Sequence, residues 1–129
     1  MKPSKWILGL AALEICGVGL VYLVAPRVMM ESNGLTLTGV NDAHLVRSAY
    51  GGLFVAFGSL FAAGAVSARL TRHALVALAV FMGGFAVGRI ASLLADGWPP
   101  GAFLFALATE IAFCALALWA LSRPAAGAA

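Results

Sequence analysis

Four apolar runs dominate the pattern of hydrophobic and polar positions along the chain. Around 20 apolar residues in helical conformation cross a bilayer core of about 30 Å. The runs occupy residues 6–25, 48–68, 74–95 and 102–121, and polar residues gather between them. The pattern therefore predicts one all-α domain over the whole chain, an integral membrane four-helix bundle with four transmembrane helices.

The first run also resembles a secretory signal, because Lys2 and Lys5 precede an apolar stretch. That stretch is too long for a signal and contains Glu14, and no small-residue cleavage site follows before Pro26. We therefore interpret it as a membrane span.

The connection at residues 26–47 is long enough for structure of its own. Its first part predicts a short interfacial helix that ends at Gly34, followed by an extended segment at 35–38. Asn41 or Asp42 is placed to cap the second long helix, because a short side-chain oxygen accepts from unpaired backbone N–H groups.

The other two links, 69–73 and 96–101, are short. Short links join antiparallel neighbours, so the second helix should lie beside the third and the third beside the fourth. The second link contains Trp98, a typical interfacial residue, and prolines suited to a helix start.

Composition excludes other classes of protein. Hydrophobic residues make up 63% of the 129 positions and charged residues 10%, and the mean hydropathy is +1.01. A short soluble monomer cannot bury so much apolar surface, and disorder requires low hydrophobicity. Cys16 and Cys114 lie inside apolar runs, which predicts neither a disulfide framework nor a CxxC motif.

The net charge of +3 reflects membrane topology better than nucleic-acid binding, because the basic residues do not cluster with aromatic residues. One side of the predicted bundle carries five cations and no acid. These cations are Lys2, Lys5, Arg69, Arg72 and Arg123. The other side carries Arg27 and Arg47 with Glu31, Asp42 and Asp96. The positive-inside rule predicts that both termini lie in the cytoplasm and that the protein lies in the cytoplasmic membrane.

Three charged residues, Glu14, Arg89 and Glu110, lie within predicted spans. A charge at the bilayer centre costs about 2.5–3.5 kcal/mol on insertion scales, so such residues usually face the bundle interior and find partners. At about 1.5 Å per residue they lie roughly 15, 9 and 12 Å from the outer ends of their helices. The pattern predicts a polar cluster in the outer half of the bundle, with Arg47 and Asp96 at its rim.

Small residues accompany these charges at helical spacing. Gly84, Gly88 and Ser92 form one stripe, and Ser48, Gly52 and Ala56 form another. Small residues allow close helix approach, so we expect Gly51, Gly52, Gly84 and Gly88 to pack helices together.

The cluster has two interpretations. In the first, Arg89 pairs with Glu110 or Glu14 only to make insertion tolerable and to fix helix register. In the second, the charges line a pocket that opens outward and binds a ligand or carries protons. Two acids face one deep cation, so one acid is protonated, Arg47 reaches inward, or a cation or water fills the gap.

Several spaced motifs resemble a known family. They are Arg47-Ser48-Ala49-Tyr50-Gly51-Gly52, Gly88-Arg89-Ile90-Ala91-Ser92, Asp96-Gly97-Trp98-Pro99 and Glu110. This order resembles the small four-helix membrane proteins grouped as domain of unknown function 4345, and more loosely the DoxX-like proteins. The resemblance covers nearly the whole chain, implies the fold and brings no reaction. It marks as family positions Arg47, Tyr50, Gly88, Arg89, Ser92, Asp96 and Glu110.

Two further likenesses are weaker. The string around Glu14 is similar to the first helix of small multidrug-resistance transporters, but a buried Arg89 would repel their cationic substrates. His44 and Arg47 match membrane-associated glutathione transferases only loosely. We expect a non-catalytic accessory subunit, or a binder of a lipid or other hydrophobic ligand, without cofactor, metal or nucleic acid. The expected partners are membrane lipids and a homo-oligomer or larger membrane complex.

Overall fold

The computed structural model describes residues 3–123, and this part of the chain is helical and contains no strand. The helices are α1 Pro3–Val24, α2 Pro26–Ser32, α3 Val40–Val66, α4 Ala68–Asp96 and α5 Gly101–Ser122. All but α2 are long and apolar enough to cross a membrane. The prediction of an all-α chain with four such helices is confirmed.

The short helix α2 ends as the sequence predicts. Gly34 has φ +77°, a left-handed conformation that favours glycine. Its N–H donates to the Glu31 carbonyl at 2.9 Å, and the Leu35 N–H donates to the Met30 carbonyl at 2.9 Å. These two bonds form a Schellman motif, which satisfies the last carbonyls of α2.

Helix α3 begins at Val40, eight residues before the predicted start at residue 48. Asp42 lies in its first turn, and its Oδ2 accepts from the backbone N–H groups of Thr38 at 2.9 Å and Gly39 at 3.1 Å. The Asp42 side chain therefore caps from inside the helix, and the end of the predicted connection is helical.

A π-helical segment, Arg47–Gly52, interrupts the α-helical geometry of α3. At its end the Leu53 N–H donates to the Ser48 carbonyl, five residues back. A π segment adds a residue to the turn, so the positions before and after it do not follow one 3.6-residue period.

Helices α3 and α4 are separated by Ser67 alone, so the predicted link at 69–73 is wrong: these residues are helical. Ser67 is extended, and the N–H groups of Leu70 and Thr71 both donate to its carbonyl at 3.1 Å. The Thr71 hydroxyl donates to the Gly64 carbonyl at 2.9 Å. The chain reverses at one residue because these bonds satisfy the backbone on both sides of the turn.

The long helices contact one another in the order α1–α3, α3–α4 and α4–α5, and fewer contacts join α1 to α5. We call the end with Pro3, Ser67 and Ser122 the terminal end, and the end with α2 and residues 97–100 the connector end. The half at the terminal end, here the closed half, has no solvent-exposed surface at its central side chains. These are Leu8, Phe61, Ala74, Leu78 and Ala117.

Most of the glycines in close contact are not those that the sequence predicts. A Cβ on Gly58 would lie 2.8 Å from the Cys16 backbone nitrogen, and a Cβ on Gly19 would lie 2.8 Å from the Phe54 Cβ. Gly64 leaves no room for a Cβ against Ala74. Gly51 faces Leu23, as a packing glycine should, because its Cβ would lie 2.7 Å from Leu23 Cδ2.

Three of the predicted packing glycines do not hold helices together. A Cβ on Gly84 or Gly88 would meet nothing within 4 Å, and one on Gly52 would meet only the Arg47 carbonyl at 3.7 Å. Ser48, Gly52 and Ala56 are all exposed. That stripe crosses the π segment, so the face extrapolated from a regular helix is not the face that packs.

Candidate functional site: a cavity around an ion pair

A cavity of about 760 Å³ lies in the connector-end half of the structure, which we call the open half. All four long helices contribute to its walls. Ile15 and Met82, both buried, lie at the part nearest the closed half. At the connector end, the cavity is lined by Met30 and Asn33 from the segment between α1 and α3, and by Gly97 from the link between α4 and α5. The cavity therefore extends from the middle of the helices to the connector end.

Aromatic rings form one wall of this cavity. The ring centroids of Tyr22 and Tyr50 lie 5.4 Å apart, those of Tyr50 and Phe54 5.8 Å, and those of Phe54 and Phe85 5.5 Å. Distances of this size are typical of favourable aromatic pairs. The rings thus connect α1, α3 and α4 and form an aromatic wall of the cavity.

An ion pair joins α4 to α5 across the cavity. The Arg89 Nε donates to both carboxylate oxygens of Glu110, at 2.8 and 2.9 Å. The Glu110 side chain is 10% exposed and the Arg89 side chain 28%. The Arg89 guanidinium also lies 5.4 Å from the centre of the Phe103 ring, close enough for a cation–π interaction. Of the two partners that the sequence leaves open for Arg89, the structure selects Glu110.

The Arg89 Nη groups are not used in this pair. Within residues 3–123, Arg89 donates hydrogen bonds through Nε alone. No buried side-chain nitrogen or oxygen in the same residues lacks a partner, so the Nη groups are not buried. Arg89 lines the cavity, and its Nη groups carry four N–H donors that the pair with Glu110 leaves free.

Glu14 adds a second carboxyl group from α1. It lines the same cavity as Thr109 and Glu110 of α5. The cavity thus brings together the three charged residues that the sequence places within spans.

The remaining predicted site residues divide into two groups. Tyr50 and Ser92 line the cavity, whereas Arg47 and Asp96 do not. Exposed Arg47 donates from Nε to the Leu23 carbonyl at 3.1 Å, which fastens α3 to the end of α1, so it does not reach inward. Asp96 accepts from the Ser92 hydroxyl at 2.8 Å on the exposed surface. Gly84 and Gly88 line the cavity, where the missing side chains leave space.

Sequence reasoning missed Thr109, Tyr22 and Phe103. Helical spacing could have predicted Tyr22 and Phe103, because side chains four or seven residues apart lie on the same face of a helix. Glu14, Val18 and Tyr22 follow that spacing and all line the cavity. Phe103 precedes Glu110 by two helical turns and lies on the same wall. His44, the other residue of the transferase likeness, is exposed and lies outside the cavity.

Fold and site together define a class: a small helical protein with four helices apolar enough to span a membrane and a cavity that holds a buried ion pair. Within that class the chain belongs to the family described as Domain of unknown function (DUF4345), whose model matches residues 3–121. No curated protein and no solved structure matches the chain. None of these comparisons shows a relation to DoxX-like proteins.

Proposed function

We propose that the protein is an integral protein of the cytoplasmic membrane that binds a lipid or another hydrophobic molecule in its cavity without catalysing a reaction. The cavity is the observation that carries this proposal. Its volume of about 760 Å³ is within the range of about 300–1,000 Å³ found for small-molecule sites. Its walls are mainly apolar, with a few convergent polar groups, which is the usual composition of such sites.

The orientation we propose places the terminal end in the cytoplasm and the cavity on the opposite side. Support comes from Arg69, Arg72 and Arg123, which lie at the terminal end, since cytoplasmic loops carry an excess of Lys and Arg. In a variant without Cys16 and Cys114, an impermeant thiol reagent should label Glu31→Cys in intact spheroplasts. It should label Arg72→Cys only after lysis, and the reverse pattern would invert the orientation.

The binding proposal is tested by purification in a mild detergent, followed by mass spectrometry of protein and lipid together. We expect a small hydrophobic molecule to remain with the wild-type protein. Gly84→Leu places a side chain in the cavity and should reduce the bound amount several-fold. Gly17→Leu is the matched control, because Gly17 is an exposed helical glycine with nothing within 4 Å of its Cβ position and lies outside the cavity lining.

Equal retention by the two glycine variants would place the molecule on the outer surface and contradict the proposal. A wild-type preparation free of small molecules but with one stoichiometric membrane protein would favour the accessory-subunit interpretation instead. A second copy of the chain as the only partner would favour a homo-oligomer.

A further inference from the structure

The polar groups of the cavity restrict which end of a ligand it can accept. The Arg89 Nη groups offer donors, and the Glu14 carboxyl offers an acceptor on the opposing helix α1. Glu110, which lines the same cavity, is paired with Arg89. A ligand end that satisfies both sides must accept hydrogen bonds at one point and donate at another.

An anionic end fits these groups poorly. Glu110 already neutralises Arg89 through both of its oxygens, so an anion would compete with that carboxylate for one guanidinium. With Glu14 ionised, the three groups sum to one negative charge, and like charges in a poorly solvated site repel strongly. With Glu14 protonated, the sum is zero and the cavity still offers no uncompensated cation.

A cationic end also meets opposition. Glu14 offers it a charged acceptor, but the cationic end would have to approach Arg89, which lines the same cavity. An uncharged end that carries hydroxyl groups avoids both conflicts, because each hydroxyl both donates and accepts. It leaves the Arg89–Glu110 pair intact in either protonation state of Glu14.

The apolar walls determine the rest of the ligand. Phe85 and Met82 line the cavity about one and two turns deeper than Arg89 on α4, and the Phe54 ring centroid lies 5.5 Å from that of Phe85. Arg89 lies about 10 Å from the end of α4, so the polar groups lie nearer the connector end than these apolar side chains do. The polar end of the ligand would thus lie toward the connector end and its chain would extend inward, toward the closed half.

We propose that the cavity selects an uncharged, hydroxylated single-chain amphiphile, such as a monoacylglycerol, whose hydroxyls accept from the Arg89 Nη groups and donate to Glu14. This inference rests on the proposed function and adds the ligand class to it. It excludes phospholipids with a charged head as the preferred occupant.

The test compares three probes that share an oleoyl or oleyl chain: monooleoylglycerol, oleyl sulfate and oleylamine. Binding to the purified wild-type protein in detergent is measured by native mass spectrometry, with competition among the probes. We expect monooleoylglycerol to bind at least about tenfold more tightly than either charged probe, a preference that corresponds to one decade in Kd.

Two variants assign this preference to Glu14. Glu14→Gln preserves the side-chain size and removes the charge, so discrimination against oleyl sulfate should fall to within about threefold, while monooleoylglycerol binding changes less. Glu31→Gln is the matched control, because the same charge is removed from an exposed residue of α2 outside the cavity. It should retain the wild-type preference.

The outcomes separate this inference from the proposed function. Preferential binding of oleyl sulfate or oleylamine would overturn the selection of an uncharged head and leave the proposed function standing. Unchanged discrimination in Glu14→Gln would overturn the role of Glu14. Absence of binding by all three probes, together with a lipid-free preparation, would overturn the proposed function and this inference with it.

Discussion

The closed and open halves are built from the same four helices, yet their glycines differ in how closely they approach a neighbouring helix. In the closed half, Gly58 and Gly64 touch a neighbouring helix so closely that no Cβ fits. In the open half, Gly84 and Gly88 of α4 face the cavity, although Gly19 and Gly51 still pack α1 against α3 there. The comparison shows that a glycine in a membrane helix serves either close packing or an empty volume, depending on where the helices separate.

Charge follows the same division. The central side chains of the closed half are apolar, whereas the open half holds Glu14, Arg89 and Glu110 around its cavity. The hydrophobic effect does not drive helices together in lipid, because lipid tails are as apolar as the helices. Close van der Waals packing therefore holds the closed half together. In the open half, the ion pair adds an attraction between α4 and α5.

The largest effect should come from removing one member of that pair. Arg89→Leu leaves the Glu110 carboxylate, 10% exposed, without its partner. Breaking a buried pair this way typically costs about 3–5 kcal/mol, and we expect the lower part of that range because Arg89 is 28% exposed. The free energy of unfolding in detergent, measured by denaturant titration, checks the value.

The double variant Arg89→Leu with Glu110→Leu tests whether the pair serves only stability. It leaves no orphan charge, so it should recover most of the lost stability. If the open half is a binding site, the double variant should retain less ligand than the wild type even though its stability recovers. Full retention of ligand together with recovered stability would show that the ion pair is purely structural.

A smaller effect, with opposite signs in the two halves, is expected for one added methyl group. Gly58→Ala forces a Cβ against the Cys16 backbone, which cannot rotate away, and overpacking typically costs about 1–3 kcal/mol. Gly88→Ala meets nothing within 4 Å and should stabilise by up to about 1 kcal/mol through helix propensity. Thermal unfolding of both variants in one detergent compares them, and equal shifts would contradict the division into halves.

The sequence predicts the helices well because a span is a property of one continuous segment. Length and hydropathy alone indicate α1, α3, α4 and α5. The charge pattern is also local evidence: Arg89 and Glu110 are costly in lipid, so a partnership is expected before any coordinates exist.

Features that depend on relative helix rotation were less predictable. The cavity exists because α1 and α5 make few contacts. Contacts between two helices cannot be predicted from the sequence of either helix alone. The stripe at Ser48 and Gly52 follows a regular period that the π segment interrupts, so its predicted face is wrong. Position along the helix also predicts Arg47 and Asp96 at the rim of the cavity, but neither residue lines it.

The smallest effect is expected at that rim, where Asp96→Ala removes the acceptor of the Ser92 hydroxyl. Both residues are exposed and four positions apart on α4, and such pairs contribute about 0.2–0.5 kcal/mol. Because Asp96 lies outside the cavity lining, ligand retention should equal that of the wild type within error. The same mass-spectrometric comparison measures it, beside Glu14→Gln. A loss of ligand in Asp96→Ala as large as that in Gly84→Leu would extend the binding site to the surface of the connector end. The open half would then act through its surface charges as well as through its interior.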